Sequence, residues 1–368
     1  MPQSLFEPAG GESLSANPFH TKPVGFFKDA FLRLKKNRAS VISLGVILLI
    51  GFLAIFAPGF NEHGFNDQQP DWVNLPPRIP GLEKLGIADG GRVLTNRRTS
   101  DLNDTEKYPE GSVLEVTNRK TINGVEVADV KVNYYMMIGA EDQYFWMGTD
   151  YLGRDLFTRL FVGARISLVI AFLSVLINIL IGVVYGAIAG YYGGKVDMVM
   201  MRIAEVIGSV PNIAIVTMFI LFFGTGMLSV VLALVIQGWI SAAQLIRAQF
   251  YRFKGREYVL AARTLGVRDA TLIFRHILPN SIGPIITTAM ISIPSAIFSE
   301  SFLAYIGLGI KAPLVSIGVL LSDAQKTLLQ LPYQTFFPAV LISALMIAFN
   351  MFANGLRDAF DPARRGEE

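Results

Sequence analysis

The sequence has no cysteine. That excludes disulfide staples, thiol catalysis and cysteine-based metal sites, and it leaves the redox compartment open. Histidine is nearly absent as well. His20, His63 and His276 are scattered with no H-x-x-x-H pair, so no metal site is visible. Charged residues make up 17%, against roughly 25% in an ordinary soluble chain, while 52% of residues are hydrophobic. A soluble reading of 368 residues would need far more polar surface than this. The net charge of +3 is small, so its placement matters more than its size, and no nucleic-acid partner is expected.

What the chain does have is long apolar runs. A bilayer core takes about 20 apolar residues as helix. Six runs approach that length: Val41–Ala57, Ile166–Ala189, Ile203–Phe223, Met227–Ile246, Ile282–Ile306 and Phe336–Ala353. No A-x-A cleavage pattern follows the first run, which reads as a signal anchor. Pro211, Pro284 and Pro294 lie in or near spans, which membrane helices tolerate when neighbours satisfy the freed carbonyls. The expected fold is an all-α polytopic membrane protein of six transmembrane helices.

Orientation follows from Lys and Arg near the span ends. Lys22, Lys28, Arg33, Lys35, Lys36 and Arg38 precede the first span against one acid, Asp29. Arg247, Arg252, Lys254, Arg256, Arg263, Arg268 and Arg275 lie between the fourth and fifth, against Glu257 and Asp269. Arg357, Arg364 and Arg365 follow the last, and Lys195 and Arg202 lie between the second and third. All these segments fall on one side when six spans are counted, so both termini are expected in the cytoplasm. The resulting division is a cytoplasmic segment 1–38, a first span 39–58, an extracytoplasmic insertion 59–165, a five-helix core 166–356 and a cytoplasmic tail 357–368.

Within the insertion, Ser112–Val116 and Val125–Tyr135 are rich in β-branched and aromatic residues, and Asn123-Gly124 is a hairpin signal. A small β-containing subdomain is expected there, either a folded spacer or a docking surface; no nucleophile–base constellation makes it catalytic.

The loop 247–280 carries the functional signal. Glu257 to Leu265 is a good helix former, Gly266 a plausible C-cap, and Asp269 a plausible N-cap of a second short helix running to His276-Ile277-Leu278-Pro279. Ala261 and Ala262, side by side, would let another protein approach the backbone closely. A helix–Gly–helix knob protruding from the membrane is expected.

The order Ala261-Ala262, Gly266, Leu278-Pro279 before the penultimate span resembles the EAA loop of ABC importer permeases. Leu260 stands where many families have Glu; an apolar residue is usual in the peptide and nickel branch. Two further blocks carry the same resemblance. Gly148-Thr149-Asp150-Tyr151-Leu152-Gly153-Arg154-Asp155, with Arg159 and Gly163-Ala164-Arg165-Ile166-Ser167-Leu168, looks like that branch's GTDxLGRDxxSR…GARxSL entry, with Thr158 at the usual serine. Glu300-Ser301-Phe302-Leu303-Ala304-Tyr305-Ile306-Gly307-Leu308-Gly309 resembles its ESxLSFLGLG block, with Ala304-Tyr305 for Ser-Phe and Ile317 at a frequent Trp.

The resemblance implies a type I ABC importer permease of the oligopeptide/dipeptide/nickel branch, oligopeptide type. It implies a second permease subunit, two ABC ATPase subunits and an extracytoplasmic peptide-binding lipoprotein as partners, with membrane lipid around them. This chain has no G-x-x-x-x-G-K-[ST] loop. It is therefore expected to bind no cofactor and to be no enzyme, with ATP and Mg on the ATPases. Glu257, Tyr258, Ala261, Ala262, Arg263, Gly266, His276, Leu278 and Pro279 would couple to the ATPase. Polar residues in spans are costly in lipid, so Glu300, Asn178, Gln237 and Asn350 are candidates for the translocation path or a subunit interface. For Glu300, a structural anchor and a path-lining group both remain open. Dipeptide or nickel cargo is the nearest alternative, and an ion-coupled carrier or channel the alternative outside the family.

Overall fold

Residues 25–360 are described by a computed structural model; residues 1–24 and 361–368, which include His20, Lys22, Arg364 and Arg365, lie outside the described residues. Helix α1 (Phe26–Lys36) meets α2 (Arg38–Phe56) at Asn37, whose side chain caps α2 by accepting from the Ser40 amide at 3.3 Å. A polar region follows, and the remaining helices are α3 (Tyr134–Met137), α4 (Leu156–Tyr192), α5 (Gly194–Gly208), α6 (Asn212–Phe223), α7 (Met227–Phe253), α8 (Glu257–Thr264), α9 (Asp269–Thr271), α10 (Leu278–Tyr305), α11 (Ile317–Gln325) and α12 (Pro332–Phe360).

Among the described residues, five helical stretches are long and apolar enough to cross a membrane: α2, α4, α7, α9 to α10, and α12. The expected third span is not one straight helix. It divides into α5 and α6, bent by 75° at Ser209–Pro211, and makes a sixth crossing when the pair counts as one. Helix α4 begins ten residues before the apolar run at Ile166, and its 37 residues extend about 55 Å, well beyond a hydrocarbon core of about 30 Å.

The most extensive helix pairing joins α4 to α7, and its cause is a row of glycines. Gly182, Gly186 and Gly190 recur every four residues on one face of α4. A Cβ at Gly182 would lie 2.6 Å from the Ala242 Cβ, at Gly186 2.3 Å from the Ala243 carbonyl oxygen, and at Gly190 2.6 Å from the Phe250 Cβ. In lipid, close backbone approach through small residues drives helix association. A second close contact puts Gly355 of α12 against Ser40 of α2.

The polar region holds a three-stranded antiparallel sheet, β1 (Gly91–Arg98), β2 (Val113–Ile122) and β3 (Val125–Asn133), in order β1-β3-β2. Asn123 and Gly124, both at positive φ (50° and 78°), close the β2–β3 hairpin. The first strand carries no signal that sequence patterning detects, because its residues are mostly polar and five of the eight are exposed.

The Gly148–Asp155 block braces this region to the bundle. The Asp150 carboxylate accepts from the amides of Leu152 (2.8 Å) and Arg154 (3.0 Å) and from Arg154 Nε (2.7 Å), with Arg159 Nε 3.3 Å away. All three charged side chains are buried. Asp155 caps α4 by accepting from the Thr158 amide at 2.8 Å and also accepts from Asn61 at 2.9 Å. Burial pushes the Asp155 carboxyl above its usual range, against the opposing pull of the Thr158 hydrogen bonds. Thr149, Tyr333 and Gln334 then tie the block to Leu75 and Asn74 and to the start of α12.

Four substitutions, in two pairs, test this account. Asp150→Ala strands two buried guanidinium groups and is expected to cost about 3–5 kcal/mol. Glu205→Ala, breaking the exposed Arg202–Glu205 pair, costs under about 1 kcal/mol. Gly186→Leu drives α7 off α4 and costs about 1–3 kcal/mol or more, whereas Gly45→Leu, with open space around its Cβ, is neutral. Thermal unfolding of the detergent-solubilised protein reads all four.

Candidate functional site

The segment after α7 folds back as a knob at one end of the bundle. Helix α8 turns Val259 and Ala262 inward, against Ile246, Phe250, Leu272 and Ile277. Ala262 is therefore part of the knob's own core, which corrects the expectation that both alanines present an open surface. Ala261 is exposed, as are Glu257, Tyr258, Leu260 and Arg263. Leu265 at the tip is 84% exposed.

Gly266 adopts φ +78°, donates to the Arg263 carbonyl at 3.0 Å, and is followed by a Val267 amide that donates to Ala262 at 3.2 Å. A Cβ there would meet open space, so glycine is needed for its conformation and not for room. Beyond it, Asp269 is the first residue of α9 rather than its cap; the cap position is Arg268 and uses no side chain. The Asp269 carboxylate instead accepts from the Tyr191 hydroxyl at the end of α4, and the Arg263 guanidinium lies over the Tyr191 ring at 5.3 Å.

Between α9 and α10 the chain winds as a π-helical turn, Leu272–Ile277. Pro279 has no N–H to offer the Arg275 carbonyl, and widening the hydrogen-bond register just before it accommodates that loss. His276 and Leu278 are half-buried and Pro279 is exposed. The His276 carbonyl accepts from Asn280 Nδ2 at 2.7 Å, and the same amide reaches the Tyr258 hydroxyl at 3.2 Å, which joins α8 to α10.

A second cluster locks the base of the knob, and sequence reasoning missed it. Gly193 and Gly194, both at positive φ, turn the chain from α4 into α5. Asp197 in the first turn of α5 takes a two-pronged hydrogen bond from Arg247 and one from the Tyr251 hydroxyl at 2.8 Å. Lys254 donates to the Gly190 carbonyl at 2.9 Å and sits 4.0 Å over the Tyr251 ring. The partners are some 50 residues apart in sequence, so only the spare acid beside a glycine pair could have pointed to them.

The polar residues within the spans divide by role. Glu300 is fully buried; Ser167 donates to it at 2.9 Å, and the same Ser167 hydroxyl accepts from the Ile317 amide at 3.2 Å. It therefore lies where α4, α10 and the start of α11 meet. Gln237 donates to the Ile207 carbonyl at 2.9 Å and the Val210 carbonyl at 2.7 Å. Pro211 leaves the Ile207 carbonyl without its helical donor, and Gln237 replaces it. Gln237 thereby ties α7 to the α5–α6 bend. Asn350 is exposed on α12.

Asn178 lines a cavity of about 280 Å³ between α4, α7 and α10, together with Gly238, Ser241, Ser292, Ser295 and Ser299. Ser292, Ser295 and Ser299 spend their hydroxyl protons on carbonyls four residues back, and Asn178 Nδ2 donates to Leu234 at 3.4 Å. Asn178 Oδ1 has no partner. The wall is uncharged, with Asn178 Oδ1 and the oxygens of Ser292, Ser295 and Ser299 left as acceptors and the Ser241 hydroxyl unspent.

Residues 182–366 match the binding-protein-dependent transport system inner membrane component model, and residues 25–77 match the N-terminal TM domain of oligopeptide transport permease C. The oligopeptide transport system permease protein of Bacillus subtilis is 34% identical over 99% of both chains. The dipeptide transport system permease protein of the same organism is 35% identical over 93% of this chain and 87% of its own. The oligopeptide permease protein of Escherichia coli K12 is 34% identical over 92% of each. Among solved structures, the MetNI methionine ABC transporter aligns at 17% identity and a TM-score of 0.44, over 55% of this chain and 96% of that one. The full-length relatives and the matched domains show that this chain belongs to the binding-protein-dependent transport system inner membrane component family, the multi-pass membrane permeases of ABC importers.

Proposed function

We propose that this chain is the permease half of an oligopeptide importer, moved through its knob by an ATPase bound on the cytoplasmic side. The observation that carries the reading is the exposed tip of the knob, Tyr258, Leu260, Ala261 and Leu265, set on a base latched to α4 and α7. Apolar side chains at a tip that lies beyond the spans call for a protein partner. Lys and Arg crowd this end of the bundle, which supports its cytoplasmic placement, with both termini on the same side. The sheet and its brace would then face outward, toward a peptide-binding lipoprotein.

Coupling is mechanical. Closure of two ATPases, which hold ATP and Mg, displaces the knob; a second permease completes the path. A partner shifts such an equilibrium only by its differential contact with the two states. The cargo reading rests on the peptide permeases among the relatives and on the neutral, acceptor-bearing wall at Asn178. Peptides of any sequence share N–H donors, so a wall of this kind suits broad, weakly selective passage. Glu300, in contrast, reads as an anchor.

Reconstituted with its second permease, ATPases and binding protein, the chain is expected to support ATP-dependent uptake of labelled peptides and no uptake of nickel. Leu265→Glu is expected to lower that uptake by on the order of tenfold or more, the effect of one central interface residue, with unchanged thermal stability of the isolated chain. Ala262→Glu instead unfolds the knob and lowers stability. Peptide uptake by Leu265→Glu at the wild-type rate would contradict the coupling role, and nickel uptake without peptide uptake would contradict the cargo.

A further inference from the structure

Helix α1 presents two faces with different chemistry. Ala30 and Leu34 are buried against Leu356 and Ala359 of α12, with Ile286 of α10 beside them. On the opposite side, Lys28, Phe31, Leu32 and Lys35 are exposed, at helical spacings of three and four that place them in one stripe. Phe31 is 65% exposed and Leu32 47%. Two adjacent large apolar side chains thus face outward between two lysines.

The level of this stripe is fixed by its neighbours. Asn37 ends α1 and caps α2, a membrane span, so the helix lies where that span begins. Its buried face rests on the last turn of α12, another span, at the end of the bundle where α10 emerges from the knob. At that depth an apolar patch meets the boundary between headgroups and acyl chains, and lysines beside it can extend their stems along the apolar layer with their ammonium groups among the phosphates. Arg38 and Arg357 are exposed at the same end, while Asp29 is engaged by Arg33 at 3.1 Å. The surface is therefore cationic around an apolar centre.

We propose that α1 is an interfacial helix that inserts Phe31 and Leu32 into the membrane surface and binds anionic lipid headgroups through Lys28 and Lys35. The occupant is lipid rather than protein because the stripe is narrow, flanked by lysines on both sides and continuous with the lipid-facing surface of α2, where Val41, Ile42, Leu48 and Leu49 are exposed. The lipid leaflet concerned is the one on the knob side, and its identification as the anionic cytoplasmic leaflet rests on the orientation proposed above. Because α1 also packs on α12 and α10, bound lipid holds that corner of the bundle in place as the knob moves.

The absence of cysteine makes the test direct. A nitroxide is attached at Leu32→Cys in the reconstituted assembly, in vesicles of phosphatidylcholine with and without phosphatidylglycerol, with Leu265→Cys as the aqueous reference. The label at 32 is expected to be more accessible to oxygen than to a water-soluble nickel chelate, the reverse of the label at 265. Phosphatidylglycerol is expected to restrict its motion, and Lys28→Gln with Lys35→Gln to weaken the preference for that lipid by on the order of tenfold or more. Nickel access at 32 equal to that at 265 would overturn the proposal. So would equal behaviour in the two lipids, or shielding from both reagents that appears only when the second permease is present. Restricting the nickel chelate to one side of the vesicle reports which leaflet holds α1, so an error in orientation is separable from an absence of lipid binding.

Discussion

The whole arrangement depends on the backbone contact between α4 and α7. Gly182, Gly186 and Gly190 leave three successive turns of α4 without a side chain on the face toward α7, and α7 backbone and Cβ atoms fill the space. Hydrophobic burial cannot hold helices together in lipid, where the alternative environment is equally apolar; close packing does so instead. The knob is mounted on this pair. The Asp197–Arg247–Tyr251 cluster fastens the α4–α5 turn to α7, and the Tyr191–Asp269 hydrogen bond fastens the knob to α4. The knob is consequently an extension of two spans rather than a flexible loop.

At the other end a different device does the corresponding work. There the chain leaves the bundle and returns through a polar subdomain, and Asp150 gathers two buried arginines at the point of return. Glu300 joins α10 to α4 through Ser167, whose hydroxyl also takes the first amide of α11. The ends are thus held by polar networks and the middle by close apolar and glycine contact. The Asn178 cavity interrupts that middle with unspent acceptors.

The spans, the hairpin and the knob were legible in the sequence because each has a local signal: an apolar run, Asn123-Gly124, and a helix former ending at Gly266. The α5–α6 bend was half-legible. Pro211 marked a disturbance, but whether a span bends depends on a donor from elsewhere, and Gln237 lies 27 residues from Val210. The glycine row of α4 was readable as a repeat of four, yet it sat inside a run already explained as membrane. The inward turn of Ala262 and the real partner of Asp269 were not legible. Both follow from how the knob packs on α4 and α7, and two adjacent alanines or an acid before a helix look the same in either arrangement.

The central claim is that the knob and the ends of α4 and α7 move as one body when ATP is used. Nitroxide pairs at Leu265→Cys and Tyr192→Cys, both exposed, measure it in the assembled transporter with and without ATP. The account predicts one narrow distance distribution, unchanged between the two states, which broadens in Asp197→Ala together with a fall in peptide transported per ATP hydrolysed. A shift of that distance between states in the unaltered chain, or full coupling in Asp197→Ala, would contradict it.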